Sequence, residues 1–218
     1  MARKRLAVLI SGRGSNLQSL IDAAQAPDYP AEVVLVVSNR GDAPGLERAA
    51  AANIPTVHLQ SVGKDPASRQ RYDQELSRVL ETAAPDLVCL AGFMRLLTRP
   101  FVQRWNGRLL NIHPSLLPAF RGLDAQAQAI AAGVKISGCT VHFVVEETDA
   151  GPIVGQAAVP VLAGDDAESL AARILIEEHK LYPACARLLC EGKARLGADG
   201  VVRIDESLQA GAPLANPA

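Results

Sequence analysis

The chain has 218 residues, of which 49% are hydrophobic and 21% are charged, so its composition is that of a globular protein with a buried core. Its 22 basic and 23 acidic residues nearly cancel, which argues against nucleic acid or an anionic membrane as a partner. No apolar run reaches the roughly 18 residues that a membrane span requires, so we expect a cytoplasmic protein.

Short apolar segments alternate with helical patterns in the first half of the chain. Strands are predicted at residues 5–10, 32–38, 56–59, 87–90 and 108–112. Helices are predicted from about residue 15, at about 44–53 and from about residue 68. This β-α-β order predicts an α/β fold with a Rossmann-like, mainly parallel twisted sheet and helices on both faces.

The second half of the chain has longer β-rich segments. Residues 134–145 and 153–161 are separated by a polar, turn-forming loop, which predicts antiparallel strands added to the sheet in the C-terminal half. A long helix is expected at about 165–190. The pair Asp199-Gly200, with an apolar segment on either side, predicts a small hairpin.

The chain shows no internal repeat and no interdomain linker. We therefore expect a single domain over residues 1–206. Residues 207–218 are rich in Ala, Gly and Pro, and we expect a disordered tail there. The four cysteines form no CxxC pair, so neither a zinc site nor a disulfide framework is expected.

A glycine-rich loop, Ser11-Gly12-Arg13-Gly14-Ser15-Asn16, lies between the first strand and the first helix. Its backbone N–H groups and the positive end of the helix can face an anion. A dinucleotide fingerprint would place Gly where Leu17 stands and an acid where Ser38-Asn39-Arg40 stands. The loop therefore favours a single phosphate monoester. The alternative is a tight turn in which Ser15 or Asn16 caps the helix.

Asn111 and His113 lie two residues apart at the end of a predicted strand, so their side chains share one face. An amide and a protonated imidazole can both donate hydrogen bonds to an oxygen that gains negative charge. A nearby carboxylate favours the protonated imidazole, and Asp149 in the turn-rich loop is the candidate. The alternatives are a structural histidine and an ordinary turn aspartate.

A metal site is the main rival for these residues. His113, His142 and Asp149 could form a facial triad, but no HxH or HxxxH spacing supports it, and Asn is a poor zinc ligand. We therefore expect no metal. A serine nucleophile is not favoured either, because Ser115 lies outside any G-x-S-x-G elbow.

Six segments together resemble the folate-dependent formyltransferase family, and within it the phosphoribosylglycinamide formyltransferases. They are ISGRGSNLQSLI, VVSNRGDAPGLERA, APDLVCLAGFMRLLT, GRLLNIHPSLLPAFRG, GCTVHFVVEETDAGPIVGQ and EEHKLYP. The resemblance covers roughly residues 5–205. The Asn-x-His-Pro segment is common to the whole family. The Gly-x-Gly-Ser-Asn loop, and the expectation that no extra domain precedes or follows, narrow the resemblance to the ribotide enzymes.

The resemblance implies that 10-formyltetrahydrofolate, as co-substrate, donates a formyl group to the amine of 5-phosphoribosylglycinamide in purine synthesis. It implies that the ribotide and its phosphate are bound by Gly14, Ser15, Asn16, Leu17 and Glu178. It implies that folate is bound by Arg69, Met94, Arg95, Leu96, Leu97, Asn111, Val145, Glu146, Glu147, Thr148 and Asp149. From the sequence alone, Glu178 reads as a solvated helix face and Arg69 as an exposed charge.

One segment departs from the family pattern. Many relatives have His and Arg after Gly-Leu-x-Ala, whereas this chain has Gly122-Leu123-Asp124-Ala125-Gln126-Ala127-Gln128. Contacts from that segment are therefore not carried over from the family.

The expected mechanism is direct attack of the amine on the formyl carbon. Asn111 and His113 would stabilise the tetrahedral intermediate, with Asp149 as their partner. Alternative functions are formyl transfer to another amine, such as a nucleotide sugar, and a non-catalytic nucleotide-binding module. The expected assembly is a monomer or a homodimer.

Overall fold

The computed structural model describes residues 2–60, 63 and 65–205. The chain divides into two compact units, one ending at Asn111 and the other beginning at Ile112. The single domain expected over residues 1–206 stays a prediction. The predicted tail at 207–218 lies outside the described residues.

Strands and helices alternate along the first unit. They are β1 (Lys4–Ile10), α1 (Ser15–Gln25), β2 (Ala31–Ser38), α2 (Pro44–Ala51), β3 (Thr56–His58), α3 (Pro66–Ala83), β4 (Leu87–Leu90), α4 (Arg99–Arg104) and β5 (Leu109–His113). The strands pair in parallel in the order β3-β2-β1-β4-β5. This is the order of a doubly wound Rossmann sheet, and the predicted mainly parallel fold is confirmed.

The central strand explains why the sheet forms here. Every side chain from Leu6 to Ile10 is 0% exposed, so residues that point to opposite faces are all buried. A sheet covered on both faces needs continuous apolar strands rather than alternating ones. The apolar run in the sequence therefore locates β1 accurately.

Two helices of the first unit differ from the sequence-based expectation. α3 begins at Pro66, earlier than expected, because the Asp65 carboxylate accepts a 3.0 Å hydrogen bond from the Ser68 N–H and caps the helix. α4 was not predicted, because six residues are too few for a helical pattern. Its start is held by buried Asp73, which accepts a 2.6 Å hydrogen bond from the Thr98 N–H.

The second unit contains an antiparallel strand pair and a separate hairpin. Its elements are α5 (Ala125–Ala131), β6 (Ile136–Phe143), β7 (Ile153–Pro160), α6 (Ala167–Cys190), β8 (Ala194–Leu196) and β9 (Val202–Ile204). β6 pairs with β7, and β8 pairs with β9, both antiparallel. The predicted antiparallel strands and hairpin are confirmed.

α6 packs against β6 and β7 and spans 24 residues. Its start is a capping box, in which Asp166 and Ser169 each accept a hydrogen bond from the other's backbone. Within the described ranges, no helix combines the length and apolar character needed to cross a bilayer. The cytoplasmic location stays a prediction.

Candidate active site

His113, the last residue of β5, is buried and has an oxygen atom facing each ring nitrogen. Nε2 lies 2.9 Å from the Phe120 carbonyl oxygen. Nδ1 lies 3.4 Å from Oδ2 of Asp149. A carbonyl oxygen and a carboxylate oxygen both accept hydrogen bonds, so each ring nitrogen of His113 faces an acceptor. The ring thus lies between two hydrogen-bond acceptors.

Asp149 has a strained backbone conformation, and its carboxylate is held in place by a hydrogen bond. Its φ of 50° lies in the left-handed region, which costs a non-glycine residue energy. Its Oδ2 accepts a 2.9 Å hydrogen bond from the Gly122 N–H. Burial raises the pKa of Asp149, but the contacts from His142, Gly122 and His113 outweigh it and hold that pKa below its usual value. The carboxylate is therefore charged at neutral pH.

His142 on β6 is a second histidine beside the same carboxylate. Its Nε2 lies 3.6 Å from Oδ1 of Asp149, and its Nδ1 lies 2.9 Å from the carbonyl oxygen of Phe143. His142 is 2% exposed. One carboxylate is thus shared by two buried histidines.

The segment after His113 is fixed by side chains of the antiparallel pair. Thr140 Oγ donates to the Ser115 carbonyl (2.7 Å) and accepts from the Leu117 N–H (3.1 Å). The Gln156 amide donates to the Leu117 carbonyl (2.9 Å). Ser115 is fully buried and donates to the Ala119 carbonyl, so its hydroxyl has a structural role. These bonds lock the backbone that leads to Phe120.

In the first unit, the glycine-rich loop ends at the start of α1. Gly14 is the N-cap, with a φ of 71°, and no side chain caps the helix. The alternative in which Ser15 or Asn16 caps α1 is therefore wrong, because α1 already begins at Ser15. Because the cap is a glycine, no cap side chain accepts a hydrogen bond from the first turn of α1.

The loops that follow β1, β2 and β4 are tied to one another. Ser11 Oγ donates to Oδ1 of Asn39 (2.6 Å) and accepts from the Met94 N–H (2.8 Å). Asn39 stands after β2, where a dinucleotide enzyme would place an acid. Because its amide oxygen is engaged by Ser11, this position anchors the loop to β1.

The loop after β4 presents apolar side chains. Met94 and Leu96 are 69% and 61% exposed, which is unusual for large apolar residues. The Arg95 guanidinium lies 3.9 Å from the centre of the Tyr72 ring. Burial raises the pKa of Tyr72 to about 12, and the charge of Arg95 partly opposes this. The arginine thus anchors the loop to α3 and leaves its apolar residues outside.

The facial triad considered from the sequence is not supported by the arrangement of ligands. Within residues 2–60, 63 and 65–205, no group of three or more His, Cys, Asp or Glu side chains could hold a metal ion. His113 and His142 each direct one ring nitrogen at an oxygen atom of Asp149 and the other at a backbone carbonyl oxygen. The expectation that no metal takes part stays a prediction.

The sequence profile of formyl transferases matches residues 4–186 of the chain. The chain belongs to the formyl transferase family. Phosphoribosylglycinamide formyltransferase of Escherichia coli (strain K12) is 47% identical over 191 residues, which cover 88% of this chain and 89% of that protein.

Two further relatives match most of this chain, and one of them is named for purine biosynthesis. The trifunctional purine biosynthetic protein adenosine-3 of Bos taurus is 50% identical over 198 residues. That match covers 91% of this chain but 19% of the bovine protein, so the chain spans about a fifth of that relative's length. The crystal structure of glycinamide ribonucleotide transformylase 1 from Symbiobacterium toebii has a TM-score of 0.86 and 49% identity, covering 93% of this chain and 94% of that one.

The predicted site residues of this formyl transferase lie in both units. Residues 14–17, Arg69, Met94–Leu97 and Asn111 lie in the first unit. His113, residues 145–149 and Glu178 lie in the second. Asn111 is half-buried on β5, opposite Leu90 of β4. Arg69 is half-buried on α3, one turn after Asp65, whose carbonyl accepts from its N–H at 3.0 Å. The roles of all these residues stay predictions.

Glu178 differs from the reading that the sequence alone suggests. It is 7% exposed rather than solvated. It lies on the buried face of α6 between Ile174 and Tyr182, which are each four residues away and 0% exposed. The charge of Glu178, after burial, helps raise the pKa of Cys139 to about 12. The interpretation of Glu178 as part of a solvated helix face is therefore wrong.

The segment that departs from the family pattern, residues 122–128, includes the N-cap and the first residues of α5. Asp124 is the N-cap, with a φ of 56°. The Gln128 side chain donates to the carbonyls of Leu123 (2.8 Å) and Arg121 (3.3 Å). Gln128, which agrees with the family pattern, thus closes the loop that carries Phe120 and Gly122, whereas Gln126 and Ala127 replace the His and Arg of many relatives.

Sequence reasoning missed the roles of His142, the Phe120 carbonyl and the Gly122 N–H. His142 was weighed only as a metal ligand, although it lies on a predicted strand two residues from Thr140, on the same face. The sequence does not predict where the Phe120 carbonyl and the Gly122 N–H lie, because their positions depend on positive φ angles at Phe120 and Gly122.

Proposed function

We propose that this chain transfers the formyl group of 10-formyltetrahydrofolate to the amine of 5-phosphoribosylglycinamide, giving the N-formyl ribotide and tetrahydrofolate in de novo purine synthesis. Family membership and the E. coli relative, which is named for this activity, support the reaction class. The observation that carries the proposal is the buried His113 imidazole, 3.4 Å from Asp149 and held by acceptors on both nitrogens.

The ribotide is assigned to the glycine-rich loop and α6. The N–H groups of Gly14, Ser15, Asn16 and Leu17 bind the phosphate at the start of α1, where the helix dipole favours an anion. Glu178 accepts hydrogen bonds from the ribose hydroxyls or the amine end. A single helix start suits a monoester, which agrees with the absence of a third glycine at Leu17.

The folate is assigned to the apolar loop after β4 and to the loop that carries Asp149. Met94, Arg95, Leu96 and Leu97 supply apolar walls and backbone hydrogen bonds for the pteridine, which is a flat heterocycle. Val145, Glu146, Glu147 and Thr148, with Asp149, are assigned to the same ring system, and Arg69 to the carboxylate end. Asn111 contacts the formyl group.

The chemical step is direct acyl transfer. The amine nitrogen attacks the formyl carbon and forms a C–N bond, and the carbonyl electrons move onto oxygen. The Asn111 amide and the His113 Nε2–H donate to that oxyanion. Because Nε2 donates to the Phe120 carbonyl in this structure, the substrate oxygen takes the place of that carbonyl.

The intermediate collapses when the bond from carbon to the folate nitrogen breaks. The attacking nitrogen loses a proton and the folate nitrogen gains one, and water ordered by Asp149 carries it between them. The reaction needs no covalent enzyme intermediate. Holding two substrates in reacting geometry can itself supply about 7–11 kcal/mol of the barrier lowering.

The experiment is transfer of a labelled formyl group from 10-formyltetrahydrofolate to a panel of amines. The panel contains phosphoribosylglycinamide, its dephosphorylated analogue and an amino nucleotide sugar. The proposal expects label on the phosphorylated ribotide and little on the other acceptors. Preferential labelling of the nucleotide sugar would favour the alternative amine, and ribotide binding without labelling would favour a non-catalytic module.

A further inference from the structure

α2 contacts the glycine-rich loop through hydrogen bonds to consecutive carbonyls. The Gly45 N–H donates to the Gly12 carbonyl at 3.1 Å. The Arg48 guanidinium, through Nε, donates to the Arg13 carbonyl at 2.9 Å. Two successive peptide groups of the loop are thus oriented by α2, although the helix that follows the loop directly is α1.

These bonds also determine the direction of the loop's N–H groups. A trans peptide is planar, with its C=O and the following N–H pointing in opposite directions. Because the carbonyls of Gly12 and Arg13 point toward α2, the N–H groups of Arg13 and Gly14 point away from it. Successive N–H groups turned to one side form a concave anion site.

We propose that Arg48 is a positioning residue for the ribotide phosphate. It acts through the Arg13 carbonyl, which fixes the direction of the Gly14 N–H. The inference rests on the proposed function, because it assigns the phosphate to this loop.

The close fit between loop and helix supports this assignment. A Cβ on Gly14 would lie 2.7 Å from the Gly45 Cα, and a Cβ on Gly45 would lie 2.5 Å from Ile10 Cδ1. Glycine at both positions therefore permits the approach that brings Arg48 within reach of the loop. Side chains at either site would push the two backbones apart.

The same guanidinium also reaches α1. Its Nη1 donates to Oε1 of Gln18 at 3.3 Å. Arg48 thereby links the loop to the first turns of the helix whose N–H groups face the phosphate. Lysine has one terminal amine and no Nε–H, so it cannot reproduce this planar pair of contacts.

A second mechanism would use only the positive charge of Arg48. The two mechanisms differ in their response to lysine, which keeps the charge and loses the Nε–H. Under the positioning mechanism, Arg48→Lys and Arg48→Gln weaken ribotide binding to a similar extent. Under the charge mechanism, Arg48→Lys binds as the unchanged chain does.

The experiment measures steady-state kinetics and calorimetric binding of phosphoribosylglycinamide to the folate-free chain. We expect both variants to raise the ribotide KM and Kd about tenfold, with kcat and the folate KM within about twofold. Arg78→Gln, at an exposed α3 arginine paired with Glu75, is the matched control and should leave every value unchanged. Thermal unfolding of each variant shows that it is folded.

Wild-type ribotide KM and Kd in Arg48→Lys, or in Arg48→Gln, would overturn the inference. So would a loss confined to kcat. The unchanged chain provides the separate check on the proposed function. If it transfers formyl groups to the ribotide while the Arg48 variants bind normally, only the positioning role fails; if it neither transfers to nor binds the ribotide, the proposed function fails.

Discussion

His142, near the end of β6, faces Asp149 in the loop that follows, with Nε2 of the histidine 3.6 Å from Oδ1 of the carboxylate. The other carboxylate oxygen lies 3.4 Å from Nδ1 of His113. Asp149 therefore faces two buried imidazoles and is the electrostatic centre of the second unit's candidate site. The expected effects of substitution follow from this arrangement.

Removing either member of the His113–Asp149 pair should abolish most turnover. We expect His113→Ala and Asp149→Asn each to lower kcat about 10²–10³-fold, because the developing oxyanion loses a donor or the donor loses its partner. Binding of a folate analogue, measured by fluorescence titration, should persist. The control is His58→Ala on exposed β3, and near-normal turnover in either test variant would refute the assigned roles.

The acid stability of the chain should depend on Asp149. Its pKa is lowered in the folded state, so its contribution to the free energy of unfolding is present above the unfolded pKa of about 3.9 and is lost as pH falls through the lower folded value. The stability gap between the unchanged chain and Asp149→Asn should therefore shrink below about pH 4. Urea unfolding at a series of pH values measures this gap. A gap that stays constant to pH 3, with exposed Asp22→Asn as control, would contradict the assignment.

Gly151 permits the close approach that holds the Asp149 loop against β6. A Cβ at this position would lie 1.8 Å from the Phe143 carbonyl oxygen, which also faces His142. Gly151→Ala should cost about 1–3 kcal/mol of stability and lower kcat at least about tenfold, because the loop must move. Gly133→Ala, with a φ of 66° and open space around its Cβ, tests strain alone. If Gly151→Ala keeps full kcat, the loop position does not matter for turnover.

Gly14 should be needed for ribotide binding. An alanine there would adopt a φ of 71° and place its Cβ 2.7 Å from Gly45. We expect Gly14→Ala to raise the ribotide KM about tenfold or more with a smaller effect on kcat, because the loop supplies binding rather than chemistry. Gly200→Ala, also at positive φ but in open space, is the control. An unchanged ribotide KM would indicate that the loop is merely structural.

The sequence predicts the sheet well because strands buried on both faces need continuous runs of apolar residues, and these runs are visible in the sequence. β4 spans Leu87–Leu90, as expected, since all four residues are buried, Asp86 precedes them and Gly92 soon follows. The burial of Glu178 could also have been predicted, because Ile174 and Tyr182 at helical spacing locate the apolar face on which it lies. The polar residues next to Glu178 in the sequence make this apolar face hard to recognise.

The candidate site was predictable only in part. Residue type and strand spacing predict Asn111 and His113 as site residues. A protonated imidazole is stabilised by a nearby carboxylate, which makes Asp149 the predicted partner. The contacts of the Phe120 carbonyl and the Gly122 N–H depend on backbone conformation, with φ of 54° and 79°. Side-chain patterns carry no information about such angles at Phe120.

The most direct test of the central claim follows tetrahydrofolate release by absorbance in the unchanged chain, with and without phosphoribosylglycinamide. The account predicts product only when the ribotide is present, in equal amount to the formylated ribotide, and almost none in His113→Ala. Product released at the same rate without ribotide would indicate hydrolysis of the formyl donor instead of transfer. That result would contradict the account.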